Sequence, residues 1–231
     1  MNNNVAFIVP TTSRNRNWKN VADSDLYKTL LTSLDRYTPH LGITIFIGFD
    51  KDDPLFSIFE QRQKINAVFS KFKVIWRQLE PDHGNVVKAW NHLANVAIFE
   101  GFEYIMVLGD DIKMPNDNCW LRVFQKRLKS QNNVGWSAGW SNNDQIATQF
   151  LIHKTHIDIF GFVFPPALTN WFCDNWMNDI YPDKWKSWFK SYPLLNTGGD
   201  PRYIPLNDKV LAERLVKRHR PSLNRFLNQS R

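Results

Sequence analysis

Four short apolar runs, each followed by polar residues and separated by longer amphipathic stretches, constrain this chain more than any other feature. "VAFIVP" (5–10), "ITIFIGF" (43–49), "KVIWRQL" (73–79) and "YIMVL" (104–108) are too short and too rich in β-branched and aromatic residues for helices, and they predict strands. Between them "SDLYKTLLTSLDRY" places Leu26, Leu30, Leu31 and Leu34 on one helical face behind Ser24 as N-cap, and "LFSIFEQRQKINAVFSKF" predicts a second helix. "VVKAWNHLANVAIFEG" predicts a third, with Gly101 just past its end, where a left-handed residue closes helices. Strand and helix alternating at this spacing predict an α/β fold with a mostly parallel sheet covered on both faces. Ligands of such sheets sit beyond the carboxyl ends of the strands. The polar loops "TTSRNR", "DKDD" and "GDD" follow strands one, two and four, so all three open on the same edge.

The last of these loops carries the sharpest chemical signal. In "YIMVLGDDIKMP" an apolar strand runs into Asp110 and Asp111. Carboxylates taken from water protonate or acquire a cation, so the pair marks either a solvated turn or a site for something positive. Adjacent residues on a strand point to opposite faces; both can serve one ligand only if the chain turns at Gly109. Two hard oxygen donors without nearby Cys or His suit Mg²⁺ or Mn²⁺, ions that keep several waters and complete their shell with phosphates.

Beyond Pro115 the pattern loosens. "NCWLRVFQKRLKSQ" predicts an amphipathic helix, "NVGWSAGWSNND" and "QFLIHKT" strands, and "THIDIFGF" and "NWFCDNWMNDIY" short helices. "DKWKSWFKSYP" reads as a helix with Trp185, Trp188 and Phe189 on one side, either a tertiary contact or an interfacial patch. "LNDKVLAERLVKRHRP" predicts a helix capped by Asn207, with Asp208 at its positive end, and closed by basic residues and Pro221. No repeat or Gly/Ser linker divides the chain, which reads as a single domain over 1–231.

A net charge of +7 favours anionic partners, although much of the excess lies in "KRHRPSLNRFLNQSR", where a solvated tail accounts for it. Two cysteines, Cys119 and Cys173, without a CxxC, argue for a reducing compartment and against structural zinc. Neither a signal peptide nor a membrane-spanning apolar window is visible, and the sequon at Asn228 is a weak match. His153 and His156, spaced i,i+3, admit a metal reading, as does His219, but satisfied structural histidines are commoner. Trp140, Trp171 and Trp176 could form a sugar-stacking platform or pack in the core.

"EGFEYIMVLGDDIKMP" resembles the segment of family 2 glycosyltransferases (GT-A fold) that carries their DxD-type metal motif. "HGNVVKAWNHLANVAIFEGFEYI", "IVPTTSR" and "IFIGFDKDD" are similar to that family's preceding helix, opening strand and loop, and second strand with its base-binding acid. "IHKTHIDIFGFVFPPALTNWFCDNWMNDIY" is more loosely similar to the segment bearing the catalytic base. The resemblance implies a GT-A, Rossmann-like fold with a nucleotide-sugar-binding half (1–115) and a smaller acceptor-side half with a C-terminal helix (116–231). By position it places Asp50 on the base, Thr11 and Arg14 in the nucleotide loop, Lys88 near the base or diphosphate, Asp110 near the ribose, and Asp111 on the bridging metal. Asp174 falls where the general base would be, with Asp179 or Asp158 as substitutes. Two departures stand out: Gly109 replaces the first acid of the triple-Asp form, and an Asp174-Asn175 pair stands where an acidic pair is expected.

The resemblance thus implies a metal-dependent, inverting transfer from a nucleoside-diphosphate sugar, a UDP-sugar favoured, to a glycan or glycolipid acceptor. Mn²⁺ or Mg²⁺ would be the cofactor. A cytoplasmic location, no nucleic acid and at most peripheral membrane contact complete the expectation. The rivals are a nucleotidyltransferase, disfavoured because "VPTTSRNRN" has no glycine, and a glycan- or nucleic-acid-binding module resting on aromatics and basic tail.

Overall fold

A computed structural model of the chain describes residues 4–38, 42–199 and 202–229. The predicted strands form as β1 (Val5–Pro10), β2 (Thr44–Asp50), β3 (Lys73–Leu79) and β4 (Tyr104–Val107). Each pairs in parallel within the order β3-β2-β1-β4, the register running Val5 opposite Tyr104 and Ala6 opposite Thr44. β5 (Ile112–Lys113) leaves the main sheet, which continues through β6 (Trp136–Gly139) and β7 (Phe150–His153). β7 runs antiparallel to both β4 and β6, and β8 (Lys186–Phe189) lies parallel to β6 at the edge, giving a seven-stranded, mostly parallel sheet. β9 (Leu195–Asn196) pairs antiparallel with β5 in a small second sheet.

Because successive side chains alternate across a strand, each central strand feeds two cores. Phe7, Val9, Ile45, Ile47 and Met106 face one layer, with Leu26, Leu30, Leu31 and Leu34 and with Trp120 and Phe124 of α4. Ala6, Ile8, Phe46, Ile105 and Val107 face the other, against α3, α6 and α7. In chain order the helices are α1 (Thr32–Tyr37), α2 (Phe59–Val68), α3 (Val86–Phe99), α4 (Trp120–Ser130), α5 (Thr155–Phe160), α6 (Cys173–Ile180) and α7 (Lys209–Gln229). Gly101 closes α3 at φ 92°, as its position predicts.

Three local expectations are corrected. The helix behind Ser24 begins as a π-helical stretch, Leu26–Leu31, and the Thr32 hydroxyl donates to the carbonyl of Tyr27, five residues back. "DKWKSWFKSYP" is not a helix but a 3₁₀ turn, Asp183–Trp185, followed by β8. Trp185 and Trp188 pack in one core layer and Phe189 in the other, so these aromatics serve tertiary packing. α7 does not stop at Pro221 but runs through it. Proline deletes one backbone donor at a cost of about 3 kcal/mol. Burial of Ala212, Leu215 and Leu223 on both sides of it offsets that cost. The sequon's Ser230 lies outside the described residues.

Candidate functional site

The carboxyl ends of the parallel strands open into a cleft of ≈ 1350 Å³. Thr11 and Arg14, Asp50, and Asp110 with Asp111 all line it, as do Asp174 and Trp171 of the α6 region. Lys88 does not line it: its exposed side chain on α3 reaches the cleft's edge only through Asp82, a lining residue that its Nζ meets at 2.9 Å. Asp158 and Asp179, the alternative bases, are likewise absent from the lining.

The loop after β1 owes its shape to a residue that the sequence shows only as part of an acidic turn. The fully buried Asp53 accepts from Ser13 N (2.8 Å), Ser13 Oγ (2.7 Å), Thr12 Oγ1 (2.8 Å), Leu55 N (3.0 Å) and Phe56 N (2.8 Å). Burial alone would raise its pKa, but these donors hold the carboxyl below its ordinary value. One carboxylate therefore ties the loop after β1 to the loop after β2. Beside it Arg14 reaches Asp52 at 2.7 Å, and His83 Nε2 lies 3.0 Å from the same residue. Asp50, Asp52 and His83 bring three potential ligand atoms within 4.8 Å of one another. This group is largely exposed, and Asp52 already has two partners.

After β4 the chain turns at Gly109, whose N–H donates to Gln149 Oε1 at 2.9 Å. Asp110 and Asp111 then both face the cleft, in very different company. Asp110 accepts from Thr11 Oγ1 at 2.6 Å and takes both arms of the Arg202 guanidinium, Nη1 at 2.6 Å and Nη2 in a second short contact. Burial alone would lower the pKa of Arg202, but Asp110 raises it above its ordinary value. Asp111 is also mostly buried, yet its nearest cation is Arg202 Nη2 at 4.0 Å. Burial first, and the charge of Asp110 second, push its pKa upward. Its backbone is fixed by Thr197, which donates to the Asp111 carbonyl from both N and Oγ1 at 3.1 Å. Gly198 is required beside it: a Cβ there would lie 2.0 Å from Asp111 Oδ2.

A buried carboxylate with so little compensation fits a hard divalent cation. Asp111 would be its anchor, whereas Asp110 is already engaged by an arginine that the irregular segment around residue 202 did not advertise.

Asp174 stands at the start of α6, after Phe172 in a left-handed conformation (φ 68°). Its Oδ1 accepts from Asn175 N at 2.9 Å, and among the described residues no ion pair reaches it. Burial raises its pKa to about 6. Of the three tryptophans considered for stacking, only Trp171 lines the cleft, 47% exposed; Trp176 is wholly buried, and the Trp140 indole donates to Asp144 at 3.0 Å. His156 is buried between the Tyr181 hydroxyl (2.8 Å) and the Val163 carbonyl (2.9 Å), and His153 bonds Thr155, so both are satisfied structurally. His219 packs on Phe162 and Trp176.

No protein-family model and no curated protein sequence matches this chain. Solved structures do. S. aureus TarS in complex with UDP aligns at TM-score 0.57 and 14% identity, over 93% of this chain and 64% of that one. The mannosyltransferase PcManGT from Pyrobaculum calidifontis, in complex with GDP-Man and Mn²⁺, aligns at 0.57 and 11%, over 83% and 56%. A cytidylyltransferase from Leptospira borgpetersenii aligns at 0.51 and 9%, over 95% and 96%. The chain thus spans less than two thirds of the two glycosyltransferases. Together with the strand order, these likenesses identify the fold as GT-A, the architecture of nucleotide-sugar transferases. Among the described residues no helix is long and apolar enough to cross a membrane.

Proposed function

We propose that the protein is a metal-dependent glycosyltransferase that moves a sugar from a nucleoside-diphosphate sugar to an acceptor hydroxyl with inversion. The observation that carries this reading is one cleft with two unlike carboxylates. Asp111, under-compensated, lies at the end of β4, and Asp174, with a pKa of about 6, lies on the acceptor side. Asp50, Thr11 and Arg14 line the part of the cleft that would take the nucleoside. Asp110 would face the ribose.

In the transfer the bond from the anomeric carbon to the diphosphate oxygen breaks as the acceptor oxygen forms its own. Asp174 would accept the acceptor's proton; a pKa near 6 leaves it ionised at neutral pH yet basic enough to respond. Mn²⁺ or Mg²⁺ on Asp111 would supply the neutralisation of the departing diphosphate. Trp171, half-exposed at the rim, offers a stacking face for a sugar of the acceptor. A UDP-sugar as donor, a glycan or glycolipid as acceptor, and at most peripheral membrane contact belong to the same proposal.

The sheet also suits nucleotidyl transfer, and the cytidylyltransferase likeness extends over both whole chains. Against that reading, "VPTTSRNRN" lacks the glycines that let a triphosphate approach the backbone. Thermal shift with UDP-, GDP- and dTDP-sugars, with and without Mn²⁺, separates the classes. Stabilisation requiring both nucleotide-sugar and cation is the expected result. A shift with nucleoside triphosphates alone would favour nucleotidyl transfer, and one with oligonucleotide alone would overturn the enzyme reading.

A further inference from the structure

Arg202 does more than fill space. Its side chain is only 12% exposed and its Nη1 also donates to the Thr12 carbonyl at 3.1 Å, while its guanidinium lies 5.7 Å from the Trp18 ring centre. The β1 loop grips the same segment: Asn15 Nδ2 donates to the Arg202 carbonyl at 3.0 Å, and Arg16 Nη2 to that of Gly198 at 3.0 Å. Near this point three carboxylates of the described residues gather. Besides Asp110 and Asp111, Asp25 has a buried Oδ2 without a hydrogen-bond partner, and burial first, then Asp110, raise its pKa. The cations acting on Asp25 include Arg202 and Arg16. With Asp110, Asp111 and Arg202 all ionised, two negative charges face one positive one, a balance of −1 among these three described residues.

We propose that Arg202 is the resident counter-ion of the Asp110–Asp111 pair and a ligand for the donor's diphosphate, so that a divalent cation enters together with a nucleoside diphosphate and not ahead of it. This rests on the function proposed above. A divalent ion alone on Asp111 would carry the cluster from −1 to +1 and stand close to a guanidinium 4.0 Å from that carboxylate. Like charges at such range in a partly desolvated site repel strongly. A diphosphate arriving with the ion returns the balance to negative. The planar fork that now holds two oxygens of Asp110 matches two phosphate oxygens equally well, which an ammonium group does not. Ion and diphosphate would therefore strengthen each other, and that coupling is reciprocal by linkage.

The test measures Mn²⁺ binding directly, by the electron paramagnetic resonance signal of the free ion, with and without UDP. It compares the wild-type chain, Arg202→Gln and Arg202→Lys, each checked for folding by its melting temperature. Removing the charge should tighten binding of Mn²⁺ alone by at least about tenfold. It should also abolish most of the mutual strengthening between Mn²⁺ and UDP. Arg202→Lys, which keeps the charge but not the fork, should bind Mn²⁺ alone as weakly as wild type and UDP more weakly. Unchanged or weaker Mn²⁺ affinity in Arg202→Gln would overturn the proposal. So would a wild-type protein that binds Mn²⁺ equally well with and without bound UDP, a measurement that needs no variant. If the wild type takes up no UDP even with Mn²⁺ present, the UDP-sugar donor falls and GDP and dTDP replace UDP in the same measurement, while the Mn²⁺ affinities still decide whether Arg202 is the counter-ion.

Discussion

The two walls of the cleft treat carboxylates in opposite ways. On the wall built by the loops after β1, β2 and β4, three of the acidic groups have close partners. Asp53 takes hydrogen bonds from its own and the neighbouring loop, Asp52 meets Arg14 and His83, and Asp110 is forked by Arg202. On the wall built by α6, Asp174 has one backbone N–H and, among the described residues, no cation. Matched carboxylates fix geometry, because moving either partner would strand a buried charge. An unmatched one keeps its proton exchangeable near neutral pH. Asp111 belongs to the first wall by position and to the second by environment.

The largest effect is expected where the two treatments meet. Asp111→Asn should reduce metal-dependent sugar transfer by about 10³-fold, the order lost when a group that stabilises developing charge is removed. Its melting temperature should not fall, since a poorly compensated charge has been taken out. A variant retaining full turnover would remove Asp111 from the chemistry and make the walls alike. Next comes Asp53→Ala, which strands Ser13 N and Phe56 N, takes one of the two acceptors of Leu55 N, and lets the two loops part. It should cost about 3 kcal/mol in chemical denaturation. Loss of less than about 0.5 kcal/mol, the range of surface substitutions, would show that the wall is held some other way.

How much of this was legible in the sequence differs between the same regions. "VAFIVP" coincides with β1, because a strand buried between neighbours must be apolar and reads as such, whereas "KVIWRQL" coincides with β3, a partly exposed edge strand legible through its β-branched and aromatic residues. Asp110 and Asp111 were legible for the same reason, since charge at the end of a buried strand needs an explanation. Asp53 was visible only as a turn acid, because its partner Ser13 is 40 residues away and the contact is tertiary. Arg202 sits in a segment without period or secondary structure, so nothing local pointed to it. Trp185, Trp188 and Phe189 misled because spacings of three and four over so few residues fit a helix face, whereas a turn and a strand edge produce the same spacing here. Lys88 does not line the cleft itself, but its exposed side chain pairs with Asp82, a residue of the cleft rim.

The smallest effect is the most diagnostic of the α6 wall. The carboxyl of Asp174 has a pKa of about 6 when folded, against an ordinary value of 3.8. Between those values the folded chain binds more protons than the unfolded one, so this group's contribution to stability falls as pH rises from about 4 to about 6 and stays low above that. Asp174→Asn removes the ionisation and can still accept from Asn175 N. It should stabilise the fold above pH 6 by about 1–2 kcal/mol, less than the full shift would give because the group faces the water of an open cleft. Below pH 4 the gain should vanish. Melting temperatures of the two proteins across pH 4 to 8 decide the matter, and parallel curves would mean that the Asp174 carboxyl titrates like an ordinary surface acid. In that event the second wall holds no group suited to take a proton near neutral pH, and the base of the proposed transfer would have to be sought elsewhere.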